Sequence, residues 1–207
     1  GRLITAMVTP FNDERELDLD RAQALATRLI EGGNDSLIIN GTTGESPTVF
    51  YPQKIELFRA VVEAVGGKAS VIANVGDNCT ADTVNFAKDV AKLGVDGFMC
   101  VVPYYNKPPQ EGMYQHFKTI ANAVELPIIL YNIPPRTGNK LLPETVQALC
   151  RDVDVIVGAK DSSGDIENLK AYIRLTRELD KDVAILAGND GAILTCLKEG
   201  GAGGIAG

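Results

Sequence analysis

The sequence contains no tryptophan, a single histidine and only four cysteines. Cys79, Cys100, Cys150 and Cys196 are scattered without CxxC spacing, and His116 stands alone, so the pattern argues against a zinc site and against a disulfide framework. No apolar run approaches the length of a membrane span. We therefore expect a protein without a metal or a membrane partner, in a reducing, cytoplasmic setting.

An excess of positive charge is also missing. Lysine and arginine number 20 against 27 acidic residues, the net charge is −7, and no basic cluster occurs, which argues against a nucleic-acid partner. No GxGxxG follows the first apolar run, so a dinucleotide-binding fold is disfavoured. The 207 residues are enough for one well-packed domain, and we expect a single domain over 1–207.

What is present is a regular alternation of apolar runs and amphipathic segments. The runs are apolar throughout, as is typical of parallel strands buried on both faces. They cover 3–8, 36–40, 71–75, 97–102, 128–131, 155–159 and 183–187, and an eighth opens at Gly203. Between them lie helical patterns such as the stripe of Ala22, Leu25, Ala26 and Leu29.

This alternation predicts an α/β fold, with a (β/α)₈ barrel (a TIM barrel) as the first choice and a doubly wound open sheet as the alternative. The chain begins without methionine, and its eighth apolar run stops at Gly207. We therefore expect a barrel truncated in strand 8, lacking the last barrel helix and a C-terminal helical segment.

Unusual polar residues follow the predicted strands, where active sites of parallel barrels lie. They are Gly41–Ser46 after the second strand, Tyr104–Pro108 after the fourth, Tyr131–Gly138 at the fifth, Lys160 at the sixth and Gly188–Asp190 after the seventh. Each segment has an ordinary explanation, such as a tight turn, a core aromatic, or a surface ion pair made by Arg136 on a loop stiffened by Pro134 and Pro135. Together they bring an amine, a phenol, paired hydroxyls and a guanidinium to one rim.

Lys160 is the most informative of these residues. It ends the apolar run 155–159 and precedes a polar, turn-like stretch. Burial disfavours an ammonium ion, so the pKa of such an amine falls and more of it is free to attack a carbonyl carbon as a nucleophile. Lys160 alone would also fit a surface lysine just past a strand; the convergence of the other residues favours Schiff-base chemistry.

Four segments resemble the signatures of one family. Gly41-Thr42-Thr43-Gly44-Glu45-Ser46, Tyr104-Tyr105-Asn106-Lys107-Pro108, Tyr131-Asn132-Ile133-Pro134-Pro135-Arg136-Thr137-Gly138 and Gly158-Ala159-Lys160-Asp161-Ser162 occur in the family's order. The chain resembles the dihydrodipicolinate synthase family, in the N-acetylneuraminate lyase superfamily of class I pyruvate aldolases. The resemblance covers the whole chain.

The resemblance implies a lyase that condenses pyruvate with L-aspartate 4-semialdehyde to 4-hydroxy-tetrahydrodipicolinate, in lysine and diaminopimelate biosynthesis. It implies no cofactor, because pyruvate forms an imine with the protein itself. It also implies a homo-oligomer, a tetramer built as a dimer of dimers.

The resemblance also assigns roles to individual residues. Lys160 forms the imine, Tyr131 is the proton shuttle, and Thr42 relays protons between Tyr131 and Tyr105, which reaches the neighbouring subunit's site. Thr42 and Thr43 hold the carboxylate of pyruvate. The remaining implied contacts are Arg136 for the carboxylate of the semialdehyde, and Gly188 and Ile205 for the pyruvate pocket.

Two departures leave alternatives open. The segment 160–165, Lys-Asp-Ser-Ser-Gly-Asp, also resembles neuraminate lyases and sugar-acid aldolases, so a retro-aldolase of N-acetylneuraminate or 2-keto-3-deoxy sugar acids is the alternative; Arg136 favours the synthase. A non-catalytic carboxylate-binding protein is a further alternative, against which the intact Lys160, Tyr131 and Thr42 argue.

The second departure concerns the family's allosteric lysine site. The resemblance places that site at Asn78, Asp82, Tyr104, Tyr51 and Lys54. Lysine-sensitive bacterial forms have Glu at position 82 and His at positions 51 and 54. These differences put feedback inhibition by lysine in doubt.

Overall fold

The computed structural model describes residues 3–207, whose parallel strands close into a barrel in the order β1 to β8. The strands are β1 (Leu3–Ala6), β2 (Ser36–Ile39), β3 (Ser70–Asn74), β4 (Gly97–Val101), β5 (Ile128–Asn132), β6 (Ile156–Asp161), β7 (Ala184–Ala187) and β8 (Gly203–Ala206). β8 pairs with both β7 and β1, Ile4 lying opposite Ile205. The predicted barrel is therefore confirmed, and the open-sheet alternative is wrong.

Helices follow β1 to β7 on the outside of the barrel. They are α1 (Leu19–Glu31), α2 (Tyr51–Val65), α3 (Thr80–Val90), α4 (Gln110–Ala121), α5 (Pro134–Thr137), α6 (Pro143–Asp152), α7 (Ile166–Thr176) and α8 (Ile193–Lys198). α5 is a single turn inside the connection from β5 to α6, which was predicted as a loop. No helix between residues 3 and 207 is both long enough and apolar enough to cross a membrane.

Two groups of buried side chains hold the barrel together. The larger lies between the sheet and the surrounding helices, and the smaller fills the barrel interior. The interior group consists of Ile4, Ala6, Ile38, Ile72, Met99, Ile129, Tyr131, Leu186 and Ile205. Because side chains alternate between the two faces of a strand, β2, β3, β4, β5 and β7 each contribute to both groups, which explains why these runs are apolar throughout.

The strand β6 is longer than the apolar run that predicts it. Lys160 lies opposite Tyr131 on β5 and Leu186 on β7, and Asp161 lies opposite Asn132 and Ala187. The expectation that the strand ends at Lys160 is therefore wrong by one residue. Pairing with both neighbours carries the strand past its apolar part, so Lys160 is held by regular backbone hydrogen bonds on both sides.

A lysine also anchors the entry to β6. The Lys181 ammonium group donates hydrogen bonds of 2.8–3.1 Å to the backbone oxygens of Cys150, Val153, Asp154 and Ile156. A positive charge is favourable at the C-terminal end of a helix, where carbonyl groups lack partners, and α6 ends here. This contact fixes the connection from α6 to β6, the strand that carries Lys160.

Candidate active site

A cavity of about 480 Å³ opens at the rim formed by the C-terminal ends of the strands. Seven of the eight predicted site residues line it, namely Thr42, Thr43, Tyr131, Arg136, Lys160, Gly188 and Ile205. They come from β2, β5, β6, β7 and β8 or the segments that follow them, so residues far apart in the sequence meet only through barrel closure. Further lining residues are Ala6, Ile133, Pro135, Ser162, Ser163, Gly164, Asn189 and Gly207.

Lys160 and Tyr131 form the floor of this cavity. Lys160 is only 5% exposed, and its Nζ lies 4.3 Å from the centre of the Tyr131 ring. Burial lowers the pKa of Lys160 from the usual 10.5 to about 8. Roughly one amine in ten is then uncharged at pH 7, compared with fewer than about one in a thousand for an ordinary lysine. The structure thus supplies a nucleophilic amine beside a buried phenol.

The two threonines reach the cavity from a tight turn after β2. Asn40 at its start has a positive φ of 60°, Ser46 N–H donates to the Gly41 oxygen (3.3 Å), and Glu45 N–H donates to the Thr42 oxygen (3.1 Å). Thr9 Oγ1 donates to the Gly44 oxygen (2.6 Å), which ties the turn to the segment after β1.

Gly44 suits this close approach, since a side chain there would force its neighbours to move. A Cβ at position 44 would lie 3.0 Å from Thr9 Oγ1 and 3.1 Å from the Met7 oxygen. The turn leaves the side chains of Thr42 and Thr43 exposed at the cavity. Hydroxyl groups there can donate hydrogen bonds to a carboxylate.

Arg136 lies on the one-turn helix α5, at the edge of the cavity. Pro134 and Pro135 occupy its first positions, where a missing N–H costs nothing, and Gly138 ends it with a φ of 67°. The side chain of Arg136 is exposed. A planar guanidinium at the mouth of a cavity can hold a carboxylate by two parallel hydrogen bonds.

Gly188 is predicted as a pocket residue, and the structure gives a steric reason for glycine there. Gly188 N–H donates to the Asp161 oxygen (2.8 Å), which brings the end of β7 against β6. A Cβ at position 188 would overlap Ser162 Oγ and lie 2.9 Å from Lys160 Cε. Any larger residue would therefore press directly on the amine-bearing side chain.

A buried polar network behind Lys160 was not predicted. Asp161 is 5% exposed, and its carboxylate accepts hydrogen bonds from Asn132 Nδ2 (2.8 Å) and Ser163 Oγ (2.8 Å). Asn132 Oδ1 accepts from Leu141 N–H (3.0 Å). The network ties the ends of β5 and β6 together. Polar residues directly following Tyr131 and Lys160 are the sequence signal that could have indicated it.

The segment after β6 is fixed by the start of α7. Asp165 caps this helix, because its carboxylate accepts hydrogen bonds from the N–H groups of Glu167 (3.1 Å) and Asn168 (3.2 Å). Lys140 also donates to Asp165 (3.1 Å). The serines at 162 and 163 are thus held between the strand and a well-capped helix.

Tyr105 is the one predicted site residue that the structure does not bring to the cavity. It follows β4, has a φ of 70°, and is 89% exposed. Its neighbour Tyr104 is half-buried and lines a second cavity of about 430 Å³. Within this chain, therefore, the phenol of Tyr105 lies outside the cavity formed around Lys160.

The second cavity adjoins the first, with Thr42, Ile133 and Arg136 bordering both. Lys54 lines it, and burial lowers the pKa of this lysine. On the other side of Lys54 lies a smaller cavity, of about 290 Å³, bordered by Tyr51 and Asp82. Four of the five positions of the lysine site that the resemblance implies therefore line these two adjoining cavities.

Asn78, the fifth position of that site, and Tyr51 make specific polar contacts. Tyr51 Oη donates to Asp89 Oδ2 (2.7 Å), and Asn78 accepts through its backbone oxygen from Asn106 Nδ2 (3.0 Å). Over residues 3–207, no group of three or more His, Cys, Asp or Glu side chains is arranged to hold a metal ion.

Comparison with known proteins agrees with this geometry. The sequence model of the dihydrodipicolinate synthetase family matches residues 1–207. A 4-hydroxy-tetrahydrodipicolinate synthase from Desulforamulus reducens is 50% identical over 200 residues, which are 97% of this chain and 67% of that relative. This chain spans about two thirds of the length of the curated relatives it matches.

Solved structures give the same result. The synthase of Cyanidioschyzon merolae with lysine bound has a TM-score of 0.95 and 46% identity, and the match covers 99% of this chain and 69% of that one. The chloride-inhibited synthase of Acinetobacter baumannii complexed with pyruvate has a TM-score of 0.94 and 36% identity. That match covers 99% of this chain and 69% of the other. On its sequence and its fold alike, the chain belongs to the dihydrodipicolinate synthetase family.

Proposed function

We propose that the chain provides the catalytic barrel of a 4-hydroxy-tetrahydrodipicolinate synthase, a lyase that condenses pyruvate with L-aspartate 4-semialdehyde. The observation that carries the proposal is the buried Lys160 amine, with its lowered pKa, at the floor of a cavity that Tyr131 and Arg136 also line. The names of the relatives support the same reaction. The product belongs to lysine and diaminopimelate biosynthesis.

In the first stage, the Lys160 amine attacks the carbonyl carbon of pyruvate. The adduct loses its hydroxyl group as water, and an imine forms. Thr42 and Thr43 hold the carboxylate, while the Tyr131 phenol moves protons to and from the reacting atoms. Gly188 and Ile205 leave room for the methyl group of pyruvate. Each role agrees with a position at the cavity wall.

In the second stage, the protonated imine withdraws electrons, so the methyl group of pyruvate loses a proton and an enamine forms. The enamine carbon attacks the aldehyde of the second substrate, whose carboxylate is held by Arg136. The aldehyde oxygen becomes a hydroxyl group. The amino group of this substrate then attacks the imine carbon, closes the ring and displaces the Lys160 amine.

This chemistry requires no cofactor, because the protonated imine on Lys160 itself serves as the electron sink. We propose a single catalytic domain that works as a homo-oligomer, a tetramer formed as a dimer of dimers. The exposure of Tyr105 supports this assembly, since a tyrosine so fully exposed can enter a neighbouring subunit's site. Thr42 would then relay protons between Tyr131 and the partner's phenol. The free thiols of all four cysteines agree with a cytoplasmic location.

A substrate comparison tests the proposal. The purified protein with pyruvate should consume aspartate semialdehyde, and it should not cleave N-acetylneuraminate or 2-keto-3-deoxy sugar acids. Cleavage of a sugar acid without use of the semialdehyde would establish the retro-aldolase instead. Failure to form an imine with pyruvate would favour a non-catalytic carboxylate-binding protein.

A second experiment tests whether Tyr105 of one subunit acts in the active site of its neighbour. Tyr105→Phe subunits and Lys160→Ala subunits are each expected to be slow or inactive. Mixed oligomers of the two should regain part of the activity, because some sites then contain an intact Lys160 and an intact Tyr105. Verified mixed oligomers without any recovery would contradict a Tyr105 that acts across an interface.

A further inference from the structure

The Ser162 hydroxyl group is buried at the cavity and has no hydrogen-bond partner in the part of the chain that the structure describes. Ser162 is only 7% exposed and comes two residues after Lys160. Alternate residues of an extended strand share a face, so the side chains of Ser162 and Lys160 both point towards the interior of the barrel. Ser162 lies nearer the mouth, since the strand runs towards it.

An unsatisfied buried hydroxyl group is costly for a folded protein. Leaving a buried donor or acceptor without a partner destabilises the folded state, and folded proteins contain few such groups. The next residue shows the usual solution, because Ser163 Oγ donates to Asp161 Oδ2 (2.8 Å). Ser162 also lines the cavity, so a rotation about its Cα–Cβ bond would turn this unpartnered hydroxyl towards a bound ligand.

Ser162 and Tyr131 lie on opposite sides of Lys160. A Cβ at Gly188 would touch both Ser162 Oγ and Lys160 Cε, so the hydroxyl group lies beside the amine-bearing side chain on the β7 side. Tyr131 approaches Lys160 from β5, on the other side. Thr42 and Thr43 come from the segment after β2.

We infer that Ser162 Oγ donates a hydrogen bond to the aldehyde oxygen of the second substrate while the carbon–carbon bond forms. The inference rests on the proposed function. The enamine electron pair forms the new bond, and the π electrons of the aldehyde move onto its oxygen. Ser162 stabilises this developing alkoxide, which then takes a proton from Tyr131, the acid–base group of the proposed mechanism.

The test separates the two halves of the reaction. Imine formation is followed by borohydride trapping of pyruvate, enamine formation by exchange of the pyruvate methyl hydrogens in deuterated water, and condensation by consumption of aspartate semialdehyde. In Ser162→Ala, trapping and exchange should stay within about twofold of the unaltered protein, while kcat for condensation should fall by roughly 10²-fold, the scale for losing one donor to a developing oxyanion.

Two further variants complete the design. Ser162→Cys keeps a weak donor and should retain an intermediate rate. Ser36→Ala removes another buried serine, at the start of β2 and the opposite end of the barrel, and should change none of the three rates. The melting temperature of Ser162→Ala should equal or exceed that of the unaltered protein, because the hydroxyl has no partner to lose.

Two results would overturn the inference. Normal condensation in Ser162→Ala would show that the hydroxyl does not act on the aldehyde. Equal losses in trapping, exchange and condensation would place Ser162 at the imine stage instead. Both results are distinct from failure of the proposed function, in which the unaltered protein itself would fail to trap pyruvate or to consume the semialdehyde.

Discussion

Tyr131 and Lys160 are directly opposite residues of the neighbouring parallel strands β5 and β6, and the lysine Nζ lies 4.3 Å from the centre of the tyrosine ring. The pair is fixed by strand register rather than by a flexible loop. An amine over the face of a ring would be stabilised as a cation by about 0.5–2 kcal/mol. Burial acts in the opposite direction and lowers the pKa of Lys160 to about 8.

Replacing Tyr131 with phenylalanine keeps the ring beside Lys160 and removes only the hydroxyl group. Trapping of pyruvate should persist, and turnover should fall by roughly 10²-fold or more, the scale for a lost acid–base group. Steady-state kinetics and borohydride trapping measure the two effects. Near-normal turnover would show that the phenol is only a packing group.

Arg136→Ala should leave imine formation with pyruvate intact and weaken the use of aspartate semialdehyde. Loss of a charged hydrogen-bond partner costs about 1.5–3 kcal/mol, which corresponds to roughly 10- to 150-fold. Arg136→Lys should recover only part of this, because an ammonium group cannot reproduce the two parallel hydrogen bonds. Separate titrations with each substrate check the prediction; a defect confined to pyruvate would contradict it.

Gly188→Ala should disturb Lys160 directly. The added methyl group would overlap Ser162 Oγ and approach Lys160 Cε to 2.9 Å. Overpacking of this kind costs about 1–3 kcal/mol, so we expect a lower melting temperature and at least a tenfold slower trapping of pyruvate. Gly191→Ala is the matched control, since a Cβ there meets nothing within 4 Å and its φ is not in the left-handed region. Equal behaviour of the two variants would contradict the steric account.

The rate of imine formation should depend on pH through Lys160. Only the uncharged amine attacks, so the trapping rate should rise up to a pH of about 8 and level off above it. A lysine with the usual pKa of 10.5 would give a rate that still increases at pH 9. Trapping rates measured between pH 6 and about 10 distinguish the two profiles.

The free energy of unfolding should also depend on pH through Lys160. Burial lowers the pKa of Lys160 in the folded state, so between pH 8 and 10.5 the unfolded chain binds more protons than the folded one. The contribution of Lys160 to the free energy of unfolding therefore rises with pH across this window. Lys160→Met should abolish the rise and unfold at a higher denaturant concentration near pH 7. An unchanged pH dependence in Lys160→Met would contradict a buried amine.

Much of the barrel could be predicted from the sequence, because strands buried on both faces leave uninterrupted apolar runs. Thr42, Thr43, Arg136 and Lys160 could be placed at the rim because they follow those runs at the same ends, and Tyr131 is the last residue of its run. The pocket roles of Gly188 and Ile205 came only from the resemblance to the family. The length of β6 could not, because Lys160 and Asp161 are polar residues whose strand conformation comes from pairing with β5 and β7. Local pattern contains no information about those neighbours.

Two other features could not be predicted from the sequence, for physical reasons. Two consecutive prolines before Arg136 suggested a stiff loop, but prolines also fit the first turn of a helix, and the structure has α5 there. The hydroxyl of Ser162 is distinguished from that of Ser163 only by its lack of a partner, which depends on the positions of Asp161 and Gly188. Such a difference arises only in the folded chain.

The central claim is that Lys160 forms the covalent imine, and borohydride reduction in the presence of pyruvate tests it most directly. Mass spectrometry should show one added carboxyethyl group, and peptide mapping should place it on Lys160. Lys160→Ala should give no adduct, and Lys160→Arg should give none either, because a guanidinium stays protonated and is not a nucleophile. An adduct that persists in Lys160→Ala, or one that maps to another residue, would contradict the account.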